Sequence, residues 1–414
     1  MMKIGLIGAT GFIGRHVARE LQARGHSVRA FGRRHEELDR LGFPRSVTIR
    51  PRAFDWSAHL GGLDAVVIAT GALGGADMIK AHEELPRQVA EAAAGAGIRH
   101  LVLVSAIGAS LDAPTAFLRT KAEGERAVLG QDRLGWMVLR PSLVYGPGGS
   151  SMDFLAALAA FPIRPRIASA PIRPILVDDL AAAIADILES EETLPATVDA
   201  VGPGPIVLDD YVDALGRWLG VTPRLVVRLP LSFIVRAASF LRLPLVNEDM
   251  ATMLANGADG DPEALSRLTR TRPSDLGQGL ARHPATPAER RMAALAPWLE
   301  GLWLSLGLFW IASGLTALAN MESGRVLLAE ASIGGRLASA IVLGGGLFDV
   351  ALGLLTLVRR YRRMAAIAEV LTVLLYTALA TLIVPSAWAD PLGQLMKNIP
   401  IVMATFLLIQ LPKR

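Results

Sequence analysis

The stretch Ile4-Gly5-Leu6-Ile7-Gly8-Ala9-Thr10-Gly11-Phe12-Ile13-Gly14 decides the fold of the first two-thirds of the chain. Residues 3–7 predict a buried strand, and residues 15–24 have the apolar spacing of a helix. The turn between them leaves backbone N–H groups free at a helix N-terminus, where the helix dipole stabilises a diphosphate. Its three glycines allow the tight turn, the approach of the phosphate and the packing of helix on strand. We therefore predict a dinucleotide-binding loop; the alternative is a glycine turn without a ligand.

Strand and helix patterns continue to alternate after this loop. The further predicted strands lie at residues 27–31, 47–50, 64–70, 100–105 and 135–140. Continuous Val, Ile and Leu runs separated by helical segments such as residues 85–96 indicate a parallel sheet covered on both faces. Right-handed crossovers between such strands give a doubly wound α/β fold.

Ligands of doubly wound sheets bind at the carboxyl ends of the strands. This rule selects the residues that end or follow the predicted strands as candidates for cofactor binding. They are Gly8, Thr10, Gly11, Phe12, Ile13, Gly14, Arg33, Arg34, Asp55, Ala69, Thr70, Gly71, Ser105, Pro141 and Val144.

The end of the second strand indicates which dinucleotide binds. It reads Gly32-Arg33-Arg34, with no acid before Glu36. A carboxylate at this place hydrogen-bonds the adenosine ribose and favours NAD, whereas arginines suit a 2′-phosphate. The sequence predicts NADP(H), with NAD as the alternative if both arginines are solvated loop charges.

Composition divides the chain into a charged part and an apolar part. A length of 414 residues predicts more than one domain. The net charge of +4 gives no reason to expect a nucleic-acid partner, and the absence of cysteine excludes disulfides, thiolate nucleophiles and cysteine-ligated metals. The seven histidines are scattered without metal-ligand spacing, so no metal site is expected, and His82-Glu83-Glu84 is interpreted as a solvated helix start rather than a site.

Four apolar runs after Arg291 are each long enough to cross about 30 Å of hydrocarbon. They lie at residues 298–319, 337–358, 364–384 and 392–411 and predict a four-helix, all-α transmembrane bundle. Basic residues cluster before the first run, at 359–363 and at 413–414. Because cytoplasmic flanks carry the excess of Lys and Arg, we expect a multi-pass protein of the bacterial-type inner membrane. Both termini and the nucleotide domain should then be cytoplasmic, and the lipid bilayer is the expected partner.

Motifs within residues 1–220 resemble the atypical, extended short-chain dehydrogenase/reductase superfamily, in particular the branch with NmrA-like proteins and the Rossmann-type accessory subunit of respiratory complex I. They lie at residues 8–14, 103–108, 117–125, 139–147 and 174–181. The resemblance implies that Lys121 holds the nicotinamide ribose and that Ser105 lies near the nicotinamide. Both are therefore candidates for catalysis as well as cofactor binding.

One residue departs from the family's catalytic pattern. Typical members carry Tyr-x-x-x-Lys on a helix, and the tyrosine acts as acid or base. Here Lys121 is present, but Phe117 stands at the tyrosine position and cannot transfer a proton. Tyr145 is a weak substitute, since the family carries a tyrosine there within a structural loop. The resemblance thus implies cofactor binding without the usual catalytic acid.

The apolar end resembles DoxX-like membrane domains at residues 344–353 and 397–400. Its glycines allow close approach of helices. Asp349 lies near the middle of the second run, where an acid is costly; it is a candidate catalytic residue, as a proton or quinone site, or else a structural clasp. Glu300 and Glu369 lie near the ends of the first and third runs, and we expect interfacial roles for both.

These patterns predict three regions and one leading function. Residues 1–225 form an NAD(P)-binding Rossmann domain with pieces of a small C-terminal lobe from about residue 143, residues 226–296 complete the lobe and a linker, and residues 297–414 form the membrane domain. The apolar segment at 229–246 is either a lobe helix or an amphipathic helix on the bilayer. The leading hypothesis is a membrane-anchored NAD(P)H-binding oxidoreductase that passes reducing equivalents to a quinone-like acceptor. The alternatives are a non-catalytic nucleotide sensor or assembly factor of a membrane complex, and a tethered reductase or epimerase of a soluble substrate.

Overall fold

A computed structural model describes the chain except residues 44–45, 50–53, 73–75, 133, 167–169, 191–195, 222–224, 229–247, 390–392, 394 and 412–414. The predicted lobe or surface helix at 229–246 and the basic tail at 413–414 therefore lie outside the described residues. The chain forms two compact units, Met1–Ala293 and Ala294–Arg414.

The first unit contains all of the described strands. They are β1 Lys3–Ile7, β2 Ser27–Gly32, β3 Ser46–Thr48, β4 Ala65–Ile68, β5 His100–Val104, β6 Gly135–Pro141, β7 Val144–Tyr145, β8 Ile163–Arg166, β9 Ile175–Leu176, β10 Ala196–Ala200 and β11 Leu225–Arg228. Its helices are α1 Phe12–Ala23, α2 His35–Arg40, α3 Trp56–Leu60, α4 Ala76–Ile79, a π-helical turn Lys80–Glu84, α5 Leu85–Gly95, α6 Ala116–Leu129, α7 Ser150–Ala160, α8 Val177–Glu189, α9 Leu208–Leu219, α10 Glu248–Asn256, α11 Pro262–Leu268 and α12 Leu276–Arg282.

The main sheet has seven parallel strands in the order β10-β6-β5-β4-β1-β2-β3. Successive side chains of β1 point to opposite faces, and both faces are buried. Leu6 packs in a cluster with residues of α1 and α8, whereas Ile7 packs in a cluster with Trp56 of α3 and Val89 of α5. Helices thus cover both faces of a parallel sheet, which confirms the doubly wound α/β fold.

A smaller lobe follows the sixth strand of the sheet. It holds two short parallel pairs, β7 with β9 and β8 with β11. Its own apolar cluster joins α7 and α9 through side chains such as Leu155 and Leu215. The lobe begins where the chain leaves the carboxyl end of β6. In doubly wound sheets the ligand-binding loops lie at this end of the strands.

The second unit is all-helical. Its helices are α13 Pro287–Ala319, which begins in the first unit, α14 Met321–Glu330, α15 Gly335–Leu357, α16 Arg362–Ile383, a 3₁₀ turn Pro385–Ala389 and α17 Asn398–Gln410. Among the described residues, α13, α15 and α16 are long and apolar enough to cross a membrane. The predicted fourth run contains α17, whose 13 residues extend about 20 Å and are shorter than a usual span.

Polarity in this unit is inverted relative to a soluble bundle. Large apolar side chains such as Leu371 and Leu382 are exposed, while Thr356, Glu369 and Thr405 are buried. A soluble protein would hide the leucines, but lipid solvates them and leaves polar groups to be satisfied between helices. The distribution fits a bundle surrounded by hydrocarbon.

Glycines bring α13 and α15 into close contact, as the sequence predicts. A Cβ placed on Gly353 would lie 2.5 Å from the carbonyl oxygen of Gly307, and one on Gly314 would lie 2.4 Å from the carbonyl oxygen of Gly346. In contrast, a Cβ on Gly344 would meet no atom within 4 Å. The two helices approach closely where glycine faces glycine.

We therefore expect Gly353→Ala to destabilise the bundle by roughly 1–3 kcal/mol, because the added methyl group forces the helices apart. Gly344→Ala adds the same methyl group to the same helix in open space and should be neutral or slightly stabilising. The unfolding midpoint of the full chain in an SDS titration measures both effects. Equal midpoints for the two variants would contradict the close packing.

Candidate active site

The glycine loop has backbone geometry that side chains would disrupt. Gly8 has φ +86°, and a Cβ on it would lie 2.7 Å from the carbonyl oxygen of Ala69. A Cβ on Gly14 would lie 2.1 Å from the carbonyl oxygen of Gly8. The loop is held tightly against the ends of β1 and β4, which brings Ala69 and Thr70 to the same place as the glycines.

The first turn of α1 is open to an anion. Gly11 is the N-cap residue, no side chain caps the turn, and the turn contains no acidic residue. The first N–H groups of a helix have no partner within the helix, so those of Phe12, Ile13 and Gly14 are free to bind a diphosphate. A loop that excludes Cβ atoms and presents N–H groups fits a dinucleotide.

A second segment lies against the start of α1. A Cβ on Gly149 would lie 2.9 Å from the ring of Phe12. His16 contacts the carbonyl oxygen of Pro147 through Nε2 at 3.1 Å and the carboxylate of Asp178 through Nδ1 at 2.7 Å. Hydrogen bonds from His16 and His283 lower the pKa of Asp178 to about 2, although burial of the carboxylate opposes this shift. The helix after the glycine loop is thus fixed to α8 and to the loop after β7.

Lys121 lies at the carboxyl ends of two central strands. Its side chain is 7% exposed, and Nζ donates to the carbonyl oxygens of Val104 at 3.0 Å and of Thr70 at 3.2 Å. Burial lowers the pKa of Lys121 to about 8, although the nearby carboxylate of Glu125 opposes this shift. The lysine therefore carries its charge at neutral pH and joins α6 to β4 and β5.

Ser105 belongs to a hydrogen-bonded group of three polar residues, of which Ser105 and Glu125 are buried. Its hydroxyl donates to Glu125, which is 4% exposed and lies on α6. The same carboxylate accepts two hydrogen bonds from Arg140 of β6, at 2.9 Å from Nε and 2.5 Å from Nη2. These hydrogen bonds raise the pKa of Arg140. Sequence reasoning selected Ser105 but not its partners, although both lie within the motifs at 117–125 and 139–147.

Phe117 is half-buried and its ring packs edge-to-face against His82, with 5.2 Å between ring centroids. The sequence interpretation of His82 as part of a solvated helix start is wrong, because the residue is buried within the π-helical turn. The backbone N–H of Ala72 donates to Nε2, so Nδ1 carries the proton and donates to Thr120. Burial lowers the pKa of His82 to about 3, so the ring is neutral and held in one tautomer.

Tyr145 lies in the lobe core and is fully buried. Its hydroxyl donates to the carbonyl oxygen of Asp275 at 3.4 Å, and burial raises its pKa. A Cβ on Gly279 would lie 1.9 Å from that hydroxyl oxygen, so α12 packs directly on the ring. The residue is placed as a packing group of the lobe.

The remaining candidates are spread along the sheet edge. Arg33 and Arg34 follow β2 with exposed side chains, in ion pairs with Asp77 at 3.7 Å and Glu37 at 2.7 Å. Asp55 is the N-cap of α3, where it accepts from the N–H of Ala58 at 3.1 Å. The other four candidates are Thr10 in the turn between β1 and α1, Gly71 after β4, Pro141 at the end of β6 and Val144 at the start of β7.

The three acids of the membrane domain that the sequence analysis singled out lie in two environments. Glu300 is partly exposed and pairs with Arg359 at 3.0 Å and Arg362 at 2.9 Å, as an interfacial role predicts. Asp349 is buried and accepts from Ser313 and Tyr376, each at 3.3 Å. The expected interfacial role of Glu369 is wrong, because its side chain is 1% exposed within the bundle.

Comparison with known proteins assigns families to both parts of the chain. Residues 8–191 match the NAD(P)H-binding family, and residues 307–406 match the DoxX-like family. The chain thus combines a reductase-like, NAD(P)H-binding domain with a membrane domain, as the sequence motifs predict.

Two curated reductases are similar to the chain. Ceramide reductase of Caulobacter vibrioides is 28% identical over 325 residues, which cover 72% of this chain and 90% of that protein. The (4-alkanoyl-5-oxo-2,5-dihydrofuran-3-yl)methyl phosphate reductase of Streptomyces griseus is 31% identical over 224 residues, which cover 51% of this chain and 72% of that protein.

A solved structure supports the fold. Human epimerase family protein SDR39U1 with NADPH superimposes with a TM-score of 0.53 at 22% identity and covers 68% of this chain and 98% of its own. The glycine loop, the parallel sheet and these similarities agree. The chain therefore belongs to the atypical short-chain dehydrogenase/reductase family of NAD(P)H-binding proteins and, with its DoxX-like domain, is a membrane protein.

Proposed function

We propose that this protein is an NADPH-dependent reductase whose hydride acceptor is a lipid-soluble molecule, with a quinone-like compound as one member of that class. The proposal rests on the position of Lys121, which is buried at the carboxyl ends of β4 and β5. It lies beside the glycine loop, in which Gly8 and Gly14 leave no room for a Cβ atom. A positive charge and free N–H groups then lie along one sheet edge, which suits a dinucleotide.

Each part of the edge has a separate task in this proposal. The N–H groups of the first turn of α1 hold the diphosphate, and Lys121 donates to the nicotinamide ribose. Ser105, Ala69, Gly71, Pro141 and Val144 line the nicotinamide side. The bound dinucleotide supplies a hydride. Because Phe117 has no transferable proton, the acceptor takes its proton from solvent, which suits a molecule that needs little acid catalysis.

The choice of NADPH over NADH rests on the arginines after β2. Arg33 and Arg34 are about three-quarters exposed, and exposed ion pairs contribute little to stability. Both guanidinium groups can leave their carboxylate partners at small cost and bind a 2′-phosphate with charge-assisted hydrogen bonds. Asp55, the N-cap residue of the helix that follows β3, is proposed to border the adenosine.

A lipid-soluble acceptor is supported by two findings. The similar protein of Caulobacter vibrioides is named for a lipid, ceramide. The chain itself joins the nucleotide domain to a helical domain whose surface is apolar. A protein held at the bilayer meets dissolved lipids at high local concentration.

We place the nucleotide domain on the cytoplasmic side of the inner membrane. Glu300, near the start of the apolar run in α13, contacts Arg359 in the turn before α16 and Arg362 at the first position of α16, so these two segments lie at one end of the bundle. Residues 359–363 form the densest basic cluster near the spans, and such clusters favour the cytoplasm. A fourth crossing through residues 392–411 would return the C-terminus to that side.

The test uses the full-length protein in lipid nanodiscs. We expect NADPH to bind more tightly than NADH, and a short-chain quinone to oxidise it. Lys121→Met should weaken NADPH binding roughly tenfold to a hundredfold, since it removes a charged donor. Lys80→Met makes the same change at an exposed lysine and serves as the control. Replacing Arg33 and Arg34 together by serine should abolish the preference for NADPH.

A nucleotide sensor is the second candidate function, favoured by Phe117 and by the engagement of the Ser105 hydroxyl with Glu125. Binding of NADPH without oxidation by any lipid-soluble acceptor would support the sensor and overturn the reductase. Failure of wild-type protein to bind either dinucleotide would overturn both.

A further inference from the structure

Glu369 is enclosed in the membrane domain with half of its carboxyl group unpartnered. Its Oε1 lies 2.5 Å from the hydroxyl oxygen of Thr356, while Oε2 is buried without a hydrogen-bond partner among the described residues. An ionised carboxylate needs partners at both oxygens, and burying one without them in a bilayer is costly. A neutral carboxylic acid fits these surroundings better.

The hydroxyl group of Thr356 can form a hydrogen bond with Glu369 in either protonation state of the acid. It has one proton and two neighbours, the carbonyl oxygen of Leu352 at 2.9 Å and Oε1 of Glu369 at 2.5 Å. The carbonyl can only accept. If the hydroxyl donates to it, the acid must supply the proton of the other contact; if the acid is ionised, the hydroxyl turns to donate to it. Both protonation states therefore have a hydrogen-bonded arrangement.

Charged residues at one end of the bundle link the pair of Thr356 and Glu369 to the solvent. Arg362 donates through Nε to the carbonyl oxygen of Thr356 at 3.2 Å and through Nη1 to Glu300 at 2.9 Å. Glu300 also accepts from Arg359, and both of these side chains are about 40% exposed. The buried acid thus lies next to a solvated ion-pair cluster, whose guanidinium charges stabilise its ionised form.

A second buried acid lies deeper in the bundle. Asp349 precedes Thr356 by seven residues on α15, and its partner Tyr376 follows Glu369 by seven on α16, so the pairs are two turns or about 10 Å apart. Trp310, whose buried indole N–H has no partner among the described residues, packs with Leu352 in the layer between them. Polar groups therefore continue inward from the arginine cluster.

We propose that Glu369 is a proton-binding site of the membrane domain. It takes up its proton from the end of the bundle where Arg359 and Arg362 lie, and Asp349 is the next proton acceptor towards the interior. The titratable and charged groups around it are Glu300 from α13, Asp349 from α15, Arg359 from the turn after α15, and Arg362 and Tyr376 from α16. The sequence of α17 contains no titratable side chain. The site does not depend on the proposed reductase activity.

Infrared spectroscopy of the full chain in nanodiscs tests the site, because the C=O stretch of a protonated acid is separate from carboxylate bands. We expect such a band at neutral pH in wild-type protein, a shift of the band after transfer to D₂O, and its loss in Glu369→Gln. Glu330→Gln makes the same change at an exposed glutamate and should keep the band. Arg362→Gln should extend the band to higher pH, since the nearest positive charge is gone.

Isotope-labelled glutamate gives a second measurement in wild-type protein, so the result does not depend on the folding of a variant. A band that responds to the glutamate label supports the proposal. A band that persists unchanged in folded Glu369→Gln, a wild-type spectrum without a label-sensitive band, or a band that does not shift in D₂O would each overturn it.

Discussion

Gly14→Ala should reduce the affinity of the full-length protein for NADPH at least about tenfold, a loss of about 1.4 kcal/mol. The added Cβ would lie 2.1 Å from the carbonyl oxygen of Gly8 and 2.8 Å from its carbonyl carbon. Both neighbours are backbone atoms, so the contact cannot be relieved by turning a side chain. Either α1 moves away from the end of β1 or the loop changes shape, and both displace the N–H groups proposed to hold the diphosphate. Isothermal titration with NADPH measures the loss.

Gly95→Ala is the matched control for this substitution. Gly95 is also helical, in α5, and a Cβ on it would meet no atom within 4 Å. The control should bind NADPH like wild-type protein and gain up to about 1 kcal/mol of stability from its better helix former. Thermal unfolding of both variants separates a local change of the loop from loss of fold. Wild-type affinity in a folded Gly14→Ala protein would show that the loop does not hold the dinucleotide.

The sequence predicts the sheet well because both of its faces are buried. Strands such as β4 and β5 are continuous apolar runs, and each of the six predicted strands is present with ends shifted by a few residues. The edge strand β10 escaped prediction, since its Thr197 and Asp199 are not buried and the strand alternates in polarity. Its place beside β6 depends on pairing across the sheet, which local patterns do not encode.

The candidate site was predictable where a backbone rule or a family motif marks the residue. Close approach explains Gly8 and Gly14, and the motif at 117–125 identifies Lys121. His82 and Glu369 were misassigned because charged neighbours and position in the chain indicate exposure, whereas tertiary packing buries both. A Cβ on Gly124 would lie 1.9 Å from the carbonyl oxygen of His82, so a glycine in another helix determines the packing of that turn.

Arg140→Met should have the largest effect on stability of any single change at the site. Glu125 is 4% exposed, and Arg140 supplies both of its charge-assisted hydrogen bonds from nitrogen. Removing one partner of a buried pair leaves the other charge desolvated, which costs about 3–5 kcal/mol in well-enclosed pairs. Because the Arg140 side chain is 29% exposed and water can enter in its place, we expect about 3 kcal/mol. For a unit that spans Met1–Ala293 the thermal midpoint should fall by roughly 5 °C.

A second substitution distinguishes a stranded charge from lost packing. Glu125→Gln in the Arg140→Met background removes the charge and keeps an oxygen that can accept from Ser105. If desolvation of the carboxylate is the cause, the double variant should regain most of the lost midpoint, because an unpaired buried charge costs far more than a missing neutral hydrogen bond. Equal midpoints for the single and the double variant would instead assign the loss to the packing of the arginine stem. Recovery in the double variant would show that the ion pair of Arg140 and Glu125 holds α6, and with it Lys121, against the carboxyl ends of the strands. The pairing of these two charges then determines the geometry of the site proposed to bind the nicotinamide.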